Sequence, residues 1–351
     1  MARARTTHRC KTCGMHAPRW TGRCAGCGDW NSLVEEDFAP SRRDCDGSVA
    51  PFEDSAVAVR LDEIDPSEAV PRPTGVEEFD RVMGGGFVPG SATLLGGEPG
   101  VGKSTLLLQV LRSVSRTGPA LLVAAEESAH QVRLRAERLG GLDGPIMVLA
   151  TTDLRAAIRA IEEVDPTLVV VDSVQTISDS SVSGPAGSLL QVRACANELV
   201  SLAKTSRAPF VLVSHVTKDG ALAGPRALEH LVDTVLSVDG DRHHALRTLR
   251  AVKHRFGATG ELGLFEMTND GMEPVTDPHK YLLGDRRPGI AGSVVVPVVE
   301  GKRALLVELQ ALLAPSRSQA PRCVAQGVDS RRLSLVRCVI ERRLELGPEY
   351  A

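Results

Sequence analysis

Residues 92–108 read ATLLGGEPGVGKSTLLL, and this stretch decides the fold. Within it Gly97-Glu98-Pro99-Gly100-Val101-Gly102-Lys103-Ser104 satisfies G-x-x-x-x-G-K-[ST], with an apolar strand-like run before it and an apolar helix-like run after it. Glycines let the backbone wrap closely enough for several N–H groups to face one anion. The helix beginning near Lys103 adds the positive end of its dipole. The candidate nucleotide-binding residues are Gly97, Glu98, Pro99, Gly100, Val101, Gly102, Lys103, Ser104 and Thr105. Lys103 is placed to reach the β- and γ-phosphates of ATP, and the Ser104 hydroxyl to sit on Mg²⁺.

Outward from this cradle the chain alternates between strand and helix patterns. Residues 92–95, 120–125, 146–150, 168–171 and 210–213 read as apolar strands. Between them 103–115, 128–139, 153–163 and 189–205 read as helices. Continuous apolar strands between helices imply an α/β fold with a mostly parallel sheet covered on both faces, and ligands bind such sheets at the carboxyl ends of the strands. Three strand ends carry chemistry. Asp172 follows Leu168-Val169-Val170-Val171, the place for a carboxylate opposite Ser104 in the Mg²⁺ shell. Glu126 and Glu127 follow 120–125, where a carboxylate can polarise the water that attacks the γ-phosphate. Ser214 and His215 follow 210–213, where a polar group can sense that phosphate.

Two polar loops, 176–188 and 216–226, leave these ends and are long for their type; such loops can couple phosphate state to a second ligand. Further on, 246–257 (LRTLRAVKHRFG) begins with strand-like alternation and ends in the basic cluster Lys253-His254-Arg255. Two uses are available to that cluster: contact with nucleic-acid phosphates, or insertion into a neighbouring subunit's ATP site as a charge-stabilising finger.

The amino terminus has a different character. Cys10-x-x-Cys13 and Cys24-x-x-Cys27 are two hooks that can give one tetrahedral Zn²⁺ four thiolates, a closed structural site. Trp20 and Trp30 lie in the same segment. They can stack on bases or pack over the metal, and a module this small needs large apolar side chains, which favours packing. Residues 35–73 are acidic and proline-rich and read as a linker with one short ordered piece near 57–61. No apolar run approaches the length of a membrane span, and MARARTTHRCK lacks the apolar stretch of a signal peptide, so a cytoplasmic location without membrane partners is expected. A net charge of -3 exerts no global pull on nucleic acid, so DNA binding must come from a local basic surface.

The four-cysteine module, the run from Thr74-Gly75 through Gly84-Gly85-Gly86 to the cradle, Glu126-Glu127-Ser128, His215-Val216-Thr217-Lys218-Asp219-Gly220 and Lys253 to Gly257 together resemble the RadA (Sms) family of bacterial DNA-repair proteins. The resemblance implies a RecA-like P-loop ATPase core, similar to DnaB-type helicases. It implies that Lys103, Ser104 and Asp172 bind MgATP and that Glu126 is the general base, with Glu127 second. Lys253, Arg255, Phe256 and Gly257 would form the family's signature loop, with His254 where the family carries Asn. Single-stranded or branched DNA, a recombinase of the RecA type and a hexameric ring are the partners and assembly it implies, in processing recombination intermediates. The expected domains are a zinc module over 1–34, a linker over 35–73, the ATPase over 74–285, and over 286–351 the opening of a Lon-protease-like domain expected to continue past Ala351. A competing reading is an ATP-switched RecA-fold scaffold that times protein contacts without moving DNA. A protease reading fails for want of a visible nucleophile.

Overall fold

Three short strands open the chain: β1 (Thr7–Cys10), β2 (His16–Ala17) and β3 (Leu33–Glu36), an antiparallel sheet of order β2-β1-β3. Cys10 stands opposite Leu33 at the end of β1. The computed structural model describes residues 7–10, 16–17, 21–23, 29–30, 33–36, 59–215, 225–240, 244–312 and 323–344. Cys13, Cys24, Cys27 and Trp20 lie outside the described residues. Trp30 does not pack: it is 71% exposed, with the Arg23 guanidinium 5.9 Å from its ring centroid. A cation over the ring face holds it where burial was expected.

The chain divides into two compact units, Met1–Ala58 and Val59–Ala351. The end of the expected linker belongs to the second. There two short 3₁₀ turns, Leu61–Glu63 and Pro66–Ala69, lead to Arg72, which bridges Phe87. Asp65 caps the second turn by accepting from the Ser67 amide.

From here the elements follow the sequence reading closely. They are α1 (Glu77–Val82), β4 (Ala92–Gly97), α2 (Lys103–Val114), β5 (Ala120–Ala124), α3 (Ala129–Arg138), β6 (Ile146–Ala150), α4 (Leu154–Val164), β7 (Leu168–Asp172), α5 (Leu189–Ser206) and β8 (Phe210–Val213). The helix starts have local causes. Ser128 and Gln131 form a capping box for α3, while Asp153 and Ser188 cap α4 and α5 by accepting backbone N–H groups. Then come α6 (Pro225–Glu229), β9 (Thr234–Asp239), β10 (Leu246–His254), β11 (Leu262–Thr268), β12 (Gly271–Pro274), α7 (Pro278–Leu282), β13 (Ser293–Glu300), β14 (Arg303–Gln310) and α8 (Ser330–Leu344).

A nine-stranded sheet of order β12-β11-β10-β9-β4-β8-β7-β5-β6 forms the body. It is parallel from β9 to β6 and antiparallel from β9 to β12. Alternation along each strand feeds two cores. Leu95, Leu122 and Val170 meet Leu106, Leu107 and Leu111 of α2 on one face. Leu94, Leu121 and Val171 meet Ile161 of α4 and Leu199 of α5 on the other. β4 lies between β8 and β9, which places the cradle near the middle of the sheet at the strands' carboxyl ends.

The hairpin β13–β14 is anchored to this unit. Leu305 packs with Leu262, Leu264 and Val275, and Arg303 donates to the buried Glu78 carboxylate at 2.5 Å. Helix α8 has no buried residue.

Candidate functional site

β4 ends at Gly97 and α2 begins at Lys103, so the intervening loop must reverse within a few residues. Gly102 makes the last turn at φ 112°, and a Cβ there would stand 2.6 Å from Met267 Cε and 2.7 Å from Met272 Sδ. The left-handed dihedral is what calls for glycine, since the two methionine tips could shift aside at little cost.

Lys103 is buried, and its ammonium curls back into the loop, donating to Gly97 O at 2.8 Å and Glu98 O at 3.1 Å. It also stands 3.3 Å from His215 Nδ1. Burial pushes its pKa below the usual lysine value, and the Asp172 and Glu126 carboxylates oppose that shift. Ser104 Oγ donates to Asp172 Oδ2 at 2.6 Å, joining the start of α2 to the end of β7. Burial raises the Asp172 pKa, the Ser104 hydrogen bond pulls it down, and the Glu126 charge pushes it up again. A hydroxyl and a carboxylate side by side at the cradle are hard oxygen donors, the set that suits Mg²⁺.

The two glutamates after β5 separate sharply. Glu126 Oε1 accepts from Ser173 Oγ at 2.5 Å and lies 3.1 Å from His215 Nε2. Glu127 turns the other way and is paired with Arg135 of α3. Because His215 Nδ1 faces an ammonium, that nitrogen is the acceptor; the ring proton is assigned to Nε2, which donates to Glu126. The result is a continuous path Lys103–His215–Glu126–Ser173. His215 is itself held by Gln175, whose Oε1 accepts from His215 N at 3.2 Å and whose Nε2 donates to His215 O at 3.4 Å.

Ser173 and Gln175 were not singled out from sequence. Their signal was present in the alternating polar positions that follow Asp172, but their roles depend on β7 and β8 lying side by side.

The structure does not leave loop 176–188 loose. Gln191 accepts from Asp179 N at 3.0 Å and donates to Val182 O at 2.6 Å, while Arg155 pairs with Asp179 at 2.7 Å. Residues 216–224 lie outside the described residues.

The basic cluster sits at the far end of β10, and its side chains are engaged within their own chain. Lys253 Nζ donates to Glu229 O and Val232 O, each at 2.7 Å. Arg255 pairs with Asp233 at 3.2 Å, with its side chain 53% exposed. His254 lies 2.9 Å from Thr234 Oγ1 through Nδ1 and 3.2 Å from Met83 O through Nε2. Donation to a carbonyl places its proton on Nε2 and lets Nδ1 accept from Thr234. Burial lowers its pKa. Imidazole thus bridges two elements here, a task for which the smaller amide of Asn has less reach.

A model described as AAA domain matches residues 75–221, and one described as Rubredoxin metal binding domain matches residues 8–35. The DNA repair protein RadA of Bacillus subtilis (strain 168) is 45% identical over 353 residues, covering 99% of this chain and 76% of that protein. Its namesake from Mycolicibacterium smegmatis is 44% identical over 354 residues, covering 98% and 75%. That from Streptococcus pyogenes serotype M1 is 44% identical over 346 residues, covering 99% and 76%. Identity at this level, sustained over nearly the whole chain and over most of each relative, leads to one conclusion: the chain belongs to the RadA family of DNA repair proteins.

Proposed function

We propose that the protein is a DNA-dependent ATPase of recombinational repair, acting on single-stranded or branched DNA to process or branch-migrate recombination intermediates. The observation that carries the ATPase reading is the contact of Ser104 with Asp172 beside the buried Lys103, with Glu126 across from them. In this reading the backbone of 97–105 and Lys103 bind the phosphates, and Ser104 and Asp172 would hold Mg²⁺, which would supply neutralisation of phosphate charge. Glu126 takes a proton from the attacking water as its oxygen bonds to the γ-phosphorus and the bond to the β–γ bridging oxygen breaks, leaving ADP and phosphate. Glu126 is favoured over Glu127 because Glu127 is already paired with Arg135. His215, between Lys103 and Glu126, is placed to report the γ-phosphate.

The assembly we propose is a hexameric ring with ATP between subunits and Arg255 or Lys253 of one chain reaching the site of the next. Arg255 suits this better, since its side chain is more than half exposed, while Lys253 ties down the carbonyls after α6. Cys10, Cys13, Cys24 and Cys27 would hold one Zn²⁺, as an all-thiolate donor set requires. The proposed domains are 1–34 for zinc, 35–73 as linker, 74–285 for ATP and 286–351 as part of a Lon-like domain. A recombinase of the RecA type is the proposed partner and the cytoplasm the proposed location. Among the described residues no helix is long and apolar enough to cross a membrane. The scaffold reading is not favoured, because the relatives are DNA repair proteins.

ATP hydrolysis measured with and without single-stranded DNA tests the proposal. Stimulation by DNA, abolished in Lys103→Ala, is expected. Hydrolysis indifferent to DNA, in a protein that does not bind it, would overturn the reading.

A further inference from the structure

The cradle has an outer wall that none of its own residues supplies. Arg247, on β10, is only 6% exposed although it carries a full charge. Its Nε donates to Val101 O, in the middle of the phosphate loop, at 3.1 Å. Its Nη1 donates to His244 O at 2.5 Å and Leu246 O at 3.0 Å. One planar guanidinium therefore spans the loop and the start of its own strand, a reach that suits Arg's rigid fork. Gly240 makes room for it, since a Cβ at that position would lie 2.4 Å from Arg247 Cδ.

The contact has a geometric consequence. In a trans peptide the C=O and the following N–H point to opposite sides. Holding Val101 O toward β10 turns the Gly102 N–H away from β10. On the same outer side Met267 of β11 and Met272 of β12 close against Gly102, so this peptide is fixed from behind by three antiparallel strands. A loop that binds an anion through its N–H groups loses affinity when those groups are free to rotate, because ordering them then falls to the ligand.

We propose that Arg247 is a positioning residue for the phosphate loop: it sets the Val101–Gly102 peptide so that the Gly102 N–H is oriented before nucleotide arrives. This rests on the reading of 97–105 as the ATP site.

The test uses the full chain and a fluorescent ATP analogue with Mg²⁺, comparing wild type with Arg247→Met, Arg247→Lys and Lys103→Ala. Losing a charged hydrogen bond in Arg247→Met is expected to weaken nucleotide binding and raise KM by about tenfold, with kcat changed less. Arg247→Lys should recover only a small part of that loss, because one ammonium cannot reach Val101 O and the carbonyls of His244 and Leu246 together. Amide hydrogen exchange without nucleotide should quicken at 98–104 in Arg247→Met and stay unchanged in β7. Wild-type affinity and wild-type exchange at 98–104 in Arg247→Met would overturn the inference. So would exchange that rises equally in β7, which would mark a general loss of stability. If Lys103→Ala loses nucleotide while Arg247→Met keeps it, this inference alone fails; if Lys103→Ala keeps it too, the ATP site itself has been misplaced.

Discussion

Glu126 and Glu127 are adjacent, carry the same side chain and leave the same strand, yet their surroundings give them different work. Glu126 is tied to Ser173 and His215 at the cradle, and Glu127 to Arg135 on α3. Replacing Glu126 with Gln should therefore lower kcat by about 10²–10⁴-fold with nucleotide binding kept. Glu127→Gln should leave kcat within about tenfold and act mainly on stability; equal losses in a steady-state assay would defeat the distinction. Asp172 gives the pH dependence. Its pKa is raised by burial, and the ionised form is the one suited to Mg²⁺. Mg²⁺ binding to the metal-free protein should hold above that raised value and weaken as pH drops through it, so the acid limb of a plot of Mg²⁺ affinity against pH is expected above the ordinary carboxylate value of about 3.9. The linkage to folding has the opposite sense: a carboxyl with a higher pKa in the folded state costs stability as pH rises through the window between its unfolded and folded values. At this scale the loop between β4 and α2 was legible as a candidate cradle because its pattern is local and contiguous. Ser173, Gln175 and Arg247 were not, because each acts on a residue that only strand neighbours or sheet closure bring near.

Glu78 shows how elements distant in sequence are joined. It is 2% exposed on α1, accepts from Leu264 N of β11 at 2.9 Å and pairs with Arg303 of β14 at 2.5 Å. Glu78→Ala would strand Arg303, which is mostly buried, and leave a backbone N–H without its acceptor. A loss of about 3–5 kcal/mol is expected, read from denaturant unfolding; Arg303→Ala should cost less, because the Glu78 carboxylate keeps Leu264 N at 2.9 Å and Arg81 at 3.4 Å. A loss under about 0.5 kcal/mol in both, the range of an ordinary surface change, would show that this junction is not structural. Helix and strand positions were largely legible, since apolar periodicity and the caps Ser128, Asp153 and Ser188 are written locally. The order of strands was not. Nothing in the residues 92–97 states that β8 and β9 will flank them, because parallel neighbours with continuous apolar faces are interchangeable in pattern. Trp30 misled for a related reason, since a large apolar ring signals burial whether or not a cation is at hand to cover it.

For the molecule as a whole, a net charge of -3 means that DNA affinity must arise from local basic surface, and its salt dependence will count the phosphates touched. If sites are shared across a ring, two inactive variants should rescue each other. Lys103→Ala and Arg255→Ala proteins are each expected to be inactive alone and to recover part of the activity when mixed, because some interfaces then combine an intact cradle with an intact arginine. Full activity in Arg255→Ala alone, or none in the mixture, would rule out that sharing. The strand order carries one more consequence, in the time domain. Leu95 of the cradle strand pairs with Val213 on one side and Leu236 on the other, both far downstream. A ribosome adding about 5–20 residues per second releases Ala92 on the order of ten seconds before Thr234. For most of that interval the nascent chain carries the whole motif of 97–105 but neither β8 nor β9, the strands that flank β4. The cradle strand therefore gains both of its neighbours only once synthesis has passed β9.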